Sequence, residues 1–378
     1  MITQFLIRFS IALLLCPVVF VAGQGGVTVA DEAKPGTVRL SEPLTVGWRY
    51  DTPSTLNLTP AFDSDRVYLP LAEGVIVSLQ AETGQLNWRA EMGGELSASP
   101  VADNHMVYVA SETGKPEAGV RRATGALRAL GREAGVTQWM RTFEMPLRGT
   151  LTLANGNLFA ASSNGLVYSF DSKTGAVRWS YDYGRPFNAQ PVVSGSRVYV
   201  GSEDGNLLAL DEATGKLLWF YKTKGPVRGP AGTGGDQVYF GSDDGHVYAV
   251  AASNGRLKWR SRLGAGVQAV AMVGEDLLVA SLDNFVYKFS SAGTRLWKRQ
   301  MPGRISSQPL MMSAEALFTP LSGSAGVVLE LRDGKQVNTL PVGEEISNLA
   351  SPVAVAGAVL VTTESGLLAF MRPRDKKP

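Results

Sequence analysis

Residues 198–219 read Val-Tyr-Val-Gly-Ser-Glu-Asp-Gly-Asn-Leu-Leu-Ala-Leu-Asp-Glu-Ala-Thr-Gly-Lys-Leu-Leu-Trp. Residues 197–202 are an apolar run with β-branched and aromatic side chains. Glu203-Asp204-Gly205 is a tight-turn signal, and residues 206–211 are a second apolar run. Glu212-Ala213-Thr214-Gly215-Lys216 turns the chain again into Leu217-Leu218-Trp219-Phe220-Tyr221. Upstream, Gln190-Pro191-Val192-Val193 is closed by Ser194-Gly195-Ser196. Short apolar runs bounded by Gly, Asp and Ser turns are the grammar of consecutive hairpins. The unit is therefore expected to be four antiparallel strands.

The unit repeats. The seven tryptophans, Trp48, Trp88, Trp139, Trp179, Trp219, Trp259 and Trp297, are separated by 40, 51, 40, 40, 40 and 38 residues. A period near 40 residues with four strands per repeat predicts a β-propeller. The turn Thr-Gly pairs recur too, as Thr174-Gly175 and Thr214-Gly215, and their glycines suit a positive φ. One repeat is degenerate, with Leu340 standing near the place of its tryptophan. The last segment, 351–370, supplies three strand patterns and no tryptophan strand. The first, Leu44-Thr45-Val46-Gly47-Trp48-Arg49-Tyr50, is a tryptophan strand with nothing before it. Pairing the two completes an eighth blade and removes exposed sheet edges. The expected fold is all-β, an eight-bladed propeller over residues 44–371 with the N-terminal strand closing the C-terminal blade. Each tryptophan, on an outermost strand, is expected to cover the neighbouring blade.

The ends read differently. Arg8 followed by the apolar residues 9–23 resembles an export signal, with Val21 and Gly23 as its cleavage site; the alternative is an uncleaved anchor. Cys16, the only cysteine, follows Leu15, which is not small, so the lipid-attachment pattern is poor. Residues 24–43 read as a flexible leader and 372–378 as a disordered tail. The net charge of +2 over 378 residues gives no ground for nucleic-acid binding. A chain whose propeller region holds no cysteine has neither an internal disulfide nor thiol chemistry there.

The motif Val-Tyr-Val-Gly-Ser-x-Asp-Gly-x-Leu-x-Ala-Leu-Asp-x-x-Thr-Gly-x-x-x-Trp, clearest at 198–219, resembles the pyrroloquinoline-quinone-type propeller repeat. By size and plan the chain is similar to the BamB family of outer-membrane assembly factors. That resemblance implies an exported scaffold of the machinery that inserts β-barrel proteins. Quinoprotein dehydrogenases share the repeat but carry adjacent cysteines, a Ca²⁺ site and a catalytic Asp. The cysteine signature is missing here.

Two constellations are candidate sites. The 51-residue gap holds an insertion of about residues 115–125, between the second and third strands of blade two. Its surroundings are basic: Lys115, Arg121, Arg122, Arg128, Arg132, Arg141 and Arg148, against Glu117, Glu133 and Glu144. Loops that break a repeat often lie on a binding face, so Lys115, Arg121, Arg122, Arg128 and Arg132 are expected to contact a partner protein; the bland alternative is a solvated insertion. The second constellation lies nine residues beyond each tryptophan: Asn57, Ser97, Arg148, Asn188, Arg228, Gln268 and Ser306. These polar residues precede the innermost strands, where the chain crosses to the next blade. They are expected to rim one mouth of the central channel. Arg148 and Arg228 there suit an anion or a carboxylate, and a water-filled mouth is the alternative.

Metal and acid–base chemistry find little support. His105 and His246 fall in unrelated turns, and no Cys/His cluster has zinc spacing. Asp204-Gly205 and Asp243-Asp244-Gly245 read as turns rather than calcium loops. The function expected is therefore a non-enzymatic propeller, peripheral to the membrane and monomeric, that binds envelope proteins and needs no cofactor or metal. A quinone-binding oxidoreductase holding pyrroloquinoline quinone with calcium is the alternative, and an anion-binding sensor a third.

Overall fold

The computed structural model describes residues 38–112, 125–343, 346–347 and 349–373. They form eight four-stranded antiparallel sheets. Blade four shows the unit: Val192–Ser194, Arg197–Gly201, Asn206–Asp211 and Leu217–Lys222, hydrogen-bonded in sequence order from the centre outward. The burial pattern explains why these residues make such a sheet. Its second and third strands are buried along nearly their whole length, while the outermost alternates exposed positions with Trp219. A strand covered on both faces needs a continuous apolar run, and one at the rim does not.

Seven blades follow this order from 61 to 341. The eighth is built from both ends of the chain: Thr45–Asp51 pairs antiparallel with Gly366–Met371, with Thr45 opposite Met371 and Asp51 opposite Gly366. The expected number of blades and the expected closure are both present.

The core is not one volume but eight layers, one between each pair of neighbouring sheets. Between blades four and five, Tyr199, Leu207, Ala209 and Trp219 meet Val238, Phe240, Tyr248 and Val250. Nearer the axis, hydrogen bonds join the crossing segments of adjacent blades. Ser351 donates its N–H to Thr59 Oγ1 at 3.0 Å, and Thr59 donates its N–H to Ser99 Oγ at 3.0 Å. Gln308 donates its N–H to Ser351 Oγ at 3.0 Å.

The tryptophans do more than cover a sheet. Each indole Nε1 donates to a backbone carbonyl in the last turn of the next blade, at 2.7–3.2 Å: Trp48 to Ala81, Trp88 to Arg132, Trp139 to Ser172, Trp179 to Glu212, Trp219 to Ala252, Trp259 to Ser291 and Trp297 to Leu331. The ring then lies flat on that turn's glycine. At Gly215 a Cβ would stand 2.5 Å from Trp179 Cε3, and φ is +71°, where side chains other than glycine's are strained. The glycine is thus required twice, for the turn and for the neighbour's indole. The strand also bulges just before the tryptophan: in blade four the register shifts between Ala209, opposite Trp219, and Leu210, opposite Leu217. Such a bulge adds local twist and re-aims a side chain.

The degenerate blade differs from expectation. By register, Asn338, not Leu340, occupies the tryptophan position: Asn338 faces Val328 and Gln336 faces Leu329 across the same bulge. Leu340 lies two residues further, fully buried between blades seven and eight. Blade eight has no turn between its third and outermost strands, because these come from opposite ends of the chain. Residues 39–42 stand in for it. Asn338 Nδ2 donates to Leu40 O at 2.7 Å and to Glu42 O at 2.9 Å, much as each indole donates elsewhere. Val38 and Leu40 are buried against Leu317, Leu340 and Phe370. The segment 38–43, expected to belong to a flexible leader, is therefore packed. Arg372, expected in a disordered tail, pairs with Glu42 at 2.6 Å. The signal, Cys16 and the rest of the leader lie outside the described residues.

Candidate functional site

Antiparallel order fixes which loops share a face. The turns between second and third strands and the blade-to-blade crossings emerge on one side. The turns between first and second, and between third and outermost strands, emerge on the other. The insertion in blade two belongs to the first face, joining Met106–Glu112 to Gly125–Gly131; Gly125, expected as its last residue, already pairs with Glu112. Lys115, Arg121 and Arg122 lie outside the described residues.

The other two basic candidates are held by contacts within the propeller. Arg128 sits within the third strand, partly buried, and donates from Nη1 to Ser111 Oγ at 3.1 Å. Burial pushes its guanidinium below its ordinary range. Arg132 lies in the turn that follows, on the opposite face. Its Nε meets Asp63 Oδ2 at 2.7 Å, and its remaining nitrogens pair with Asp65 and Glu133. Arg66 completes the cluster, reaching Glu133 at 2.6 Å and the Arg132 carbonyl. The Asp63 side chain is 1% exposed. Burial works against its charge, but Arg132, the Tyr68 hydroxyl and the Asp65 N–H outweigh it and hold the carboxyl below the usual carboxylate range. These contacts clamp blades one and two together. Arg141, further along, donates to Gly175 O at 2.8 Å and Thr174 O at 3.1 Å of blade three.

The channel-mouth residues stand at equivalent crossings on the face of the insertion. Arg148 and Gln268 fall inside their innermost strands, Leu147–Ala154 and Val267–Val273, rather than before them. The two arginines are already engaged. Arg148 pairs with Glu112 at 2.7 Å. Arg228 forks onto Glu203, with Nε to Oε1 at 2.9 Å and Nη2 to Oε2 at 2.7 Å, and its Nη1 reaches Asp243. Asn188 Nδ2 donates to the same Glu203 at 2.9 Å, and Asn57 Oδ1 accepts from the Leu349 N–H at 2.9 Å. Ser97 Oγ and Ser306 Oγ are buried and meet no partner among the described residues. An external anion would have to displace a carboxylate at either arginine, which weakens the anion-binding reading.

The acidic groups beside Arg228 read from sequence only as turn residues. Glu203, Asp204, Asp243 and Asp244 fill the adjoining turns of blades four and five. For Asp204, burial works against the charge, yet hydrogen bonds from Ser202, Asn206 and Tyr183 hold its carboxyl down to about 2. The signal lay in the sequence, in the Glu-Asp-Gly and Asp-Asp-Gly turns, and was absorbed by the turn reading.

A cavity of about 520 Å³ opens on the other face, between the first-to-second-strand turns of blades two, three and four. Asp103, Asn155, Ser196 and Glu212 line it beside Val101 and Leu153. Asn155 spans it, donating to Glu212 at 2.8 Å.

Quinone chemistry in this repeat class would need a calcium ion. Among the described residues no group of three or more His, Cys, Asp or Glu side chains is placed to share a metal ion.

These features agree with the comparisons. A family model described as "Outer membrane protein assembly factor BamB" matches residues 34–122, 123–228 and 222–377. The chain belongs to this family of repeat propellers. Among solved structures, BamB from Moraxella catarrhalis superposes with a TM-score of 0.72 at 15% identity, covering 89% of this chain and 100% of that one. The computationally designed Ika8 protein gives 0.73 at 14% identity, over 85% and 97%. The quinohemoprotein alcohol dehydrogenase from Comamonas testosteroni gives 0.68 at 12% identity, over 89% and 78%. At these identities the likeness establishes the fold. No curated protein matches the chain significantly.

Proposed function

We propose that this protein is an exported, non-enzymatic scaffold that works at the periplasmic face of the outer membrane in the assembly of β-barrel proteins. The observation that carries this reading is the family match, which runs from residue 34 to residue 377 in three blocks. The face that bears the blade-two insertion and the Arg228–Glu203–Asp243 cluster presents the partner surface. Its charge is divided: basic around Arg148 and the insertion, acidic around the turns of blades four and five. Partner proteins there are envelope proteins, the barrel-assembly machinery first among them.

Affinity purification from the native envelope, read by mass spectrometry, tests the role. Components of a barrel-assembly complex are expected in the eluate, and deleting residues 115–124, which spares the strand residue Gly125, is expected to reduce their recovery at least about tenfold with an unchanged melt. Recovery of no such component would overturn the role, and unchanged recovery after the deletion would remove the insertion from the partner surface. A second reading rests on the propeller shared with a quinohemoprotein alcohol dehydrogenase. It requires uptake of pyrroloquinoline quinone with Ca²⁺, a change in absorbance, and dye reduction with alcohols or sugars.

A further inference from the structure

We propose that the outermost strand of blade four, Leu217–Lys222, is a docking edge for an extended segment of another protein, apolar in its middle and acidic at its ends. The proposal does not depend on the role assigned above.

Every blade ends in a strand with one unpaired edge, and an edge strand is a template for a further strand unless charge keeps other chains away. Three positions decide this here: two before the tryptophan, one before it and one after it. Blades one, three, five, six and eight carry at least one Arg or Lys there, including Arg89, Arg178, Lys258, Lys298 and Arg49. Blades two and seven place polar groups at two of the three. In blade four all three are apolar: Leu217, Leu218 and Phe220 are 38%, 47% and 60% exposed.

The register shows where they face. Leu217 lies opposite Leu210, and Phe220 opposite Leu208. Leu208 and Leu210 pack in the layer that contains Trp179 of blade three. Paired residues share a face, so Leu217 and Phe220 line the outer groove between blades three and four. A strand added to this edge would satisfy its free N–H and C=O groups and lay alternate side chains over that groove.

Charge selects the occupant. Lys216 precedes the strand and Lys222 ends it, both exposed; Lys222 donates to the Asp204 carbonyl and lies 3.6 Å from its carboxylate. Antiparallel pairing with a second copy centred on Trp219 would set Lys216 of one copy opposite Lys222 of the other, and like charges directly opposite repel. A segment with acids at its ends meets both lysines favourably.

The test uses the full mature chain and a labelled synthetic peptide alternating valine with threonine and ending in glutamates. Fluorescence anisotropy is expected to show saturable binding, weaker by about tenfold when lysines replace the glutamates. The double variant Leu218→Lys with Phe220→Lys is expected to lose binding. It should still fold, because blade five has Lys258 and Arg260 at these positions; an unchanged melt checks this. A peptide N-methylated along one edge should bind only if its other edge is free to pair, so methylating both should abolish binding. Three results would each overturn the proposal: no binding to the intact chain, undiminished binding by the folded double variant, or undiminished binding of the doubly methylated peptide. Sedimentation showing instead that the chain self-associates through Phe220 would assign the edge to a second copy.

Discussion

At the residue scale, an indole and a glycine on different blades form one joint. Trp219 shows its energetics: the ring is 8% exposed, its N–H reaches Ala252 O at 2.9 Å, and its face rests on Gly255. Trp219→Ala removes a large buried surface and orphans a carbonyl. It is expected to cost roughly 3–5 kcal/mol, read by chemical denaturation. Gly255→Ala attacks the same joint from the other side. It should cost roughly 2–4 kcal/mol, since its Cβ would strike the Trp219 ring at a φ of +69°. A second residue-scale prediction concerns Arg132. Arg132→Ala takes the cation from Asp63, which keeps the Tyr68 hydroxyl and two backbone N–H groups, and should cost roughly 1.5–3 kcal/mol near neutral pH. The pH dependence follows from the lowered pKa of Asp63. Its contribution is fully present above the ordinary carboxylate range and is lost as pH falls from that range through the depressed folded value. The wild-type melting temperature should therefore drop more steeply over that acidic window than that of the Arg132→Ala variant. Equal slopes would show that Asp63 is not the group responsible.

At the scale of the element, the segment 39–42 does the work of a turn that the chain's connectivity denies to blade eight. Asn338→Ala should lower stability by about 1–2 kcal/mol and raise amide exchange in Thr45–Asp51. Asn338→Trp should not restore it, because no glycine lies under the new ring. Exchange unchanged in both variants would show that the segment holds without this contact. The same element marks how far the sequence could be read. Strands, turns, blade number and closure were legible because tryptophan spacing, Gly-bearing turns and apolar runs each repeat at their own period. The role of Asn338 was not, since an amide matches an indole only once the bulge is in register. Leu40 and Glu42 act through backbone carbonyls, which leave no trace in composition. The site was read less well for a related reason. Arg132 is close in sequence to the insertion, but a strand of seven residues carries it to the opposite face, and Arg128 lies within that strand. Arg228 and Arg148 were legible as cations, whereas their partners Glu203, Asp243 and Glu112 looked like ordinary turn acids.

For the whole molecule, closure joins residues far apart in the chain, as in Thr45 opposite Met371. Removing residues 1–51 should leave the last blade with three strands, strip its outer cover and open one interblade layer. The expected result is a loss of cooperative melting, or aggregation, which supplying residues 38–51 as a peptide should partly reverse. A truncated chain that melts like the intact one would refute closure as a condition of stability. The same pairing orders events during biosynthesis. Thr45–Asp51 cannot be paired until Gly366–Met371 is available, so the ring cannot close however many of the middle blades have formed. Until then the first strand keeps a bare edge, open to pairing with the wrong partner.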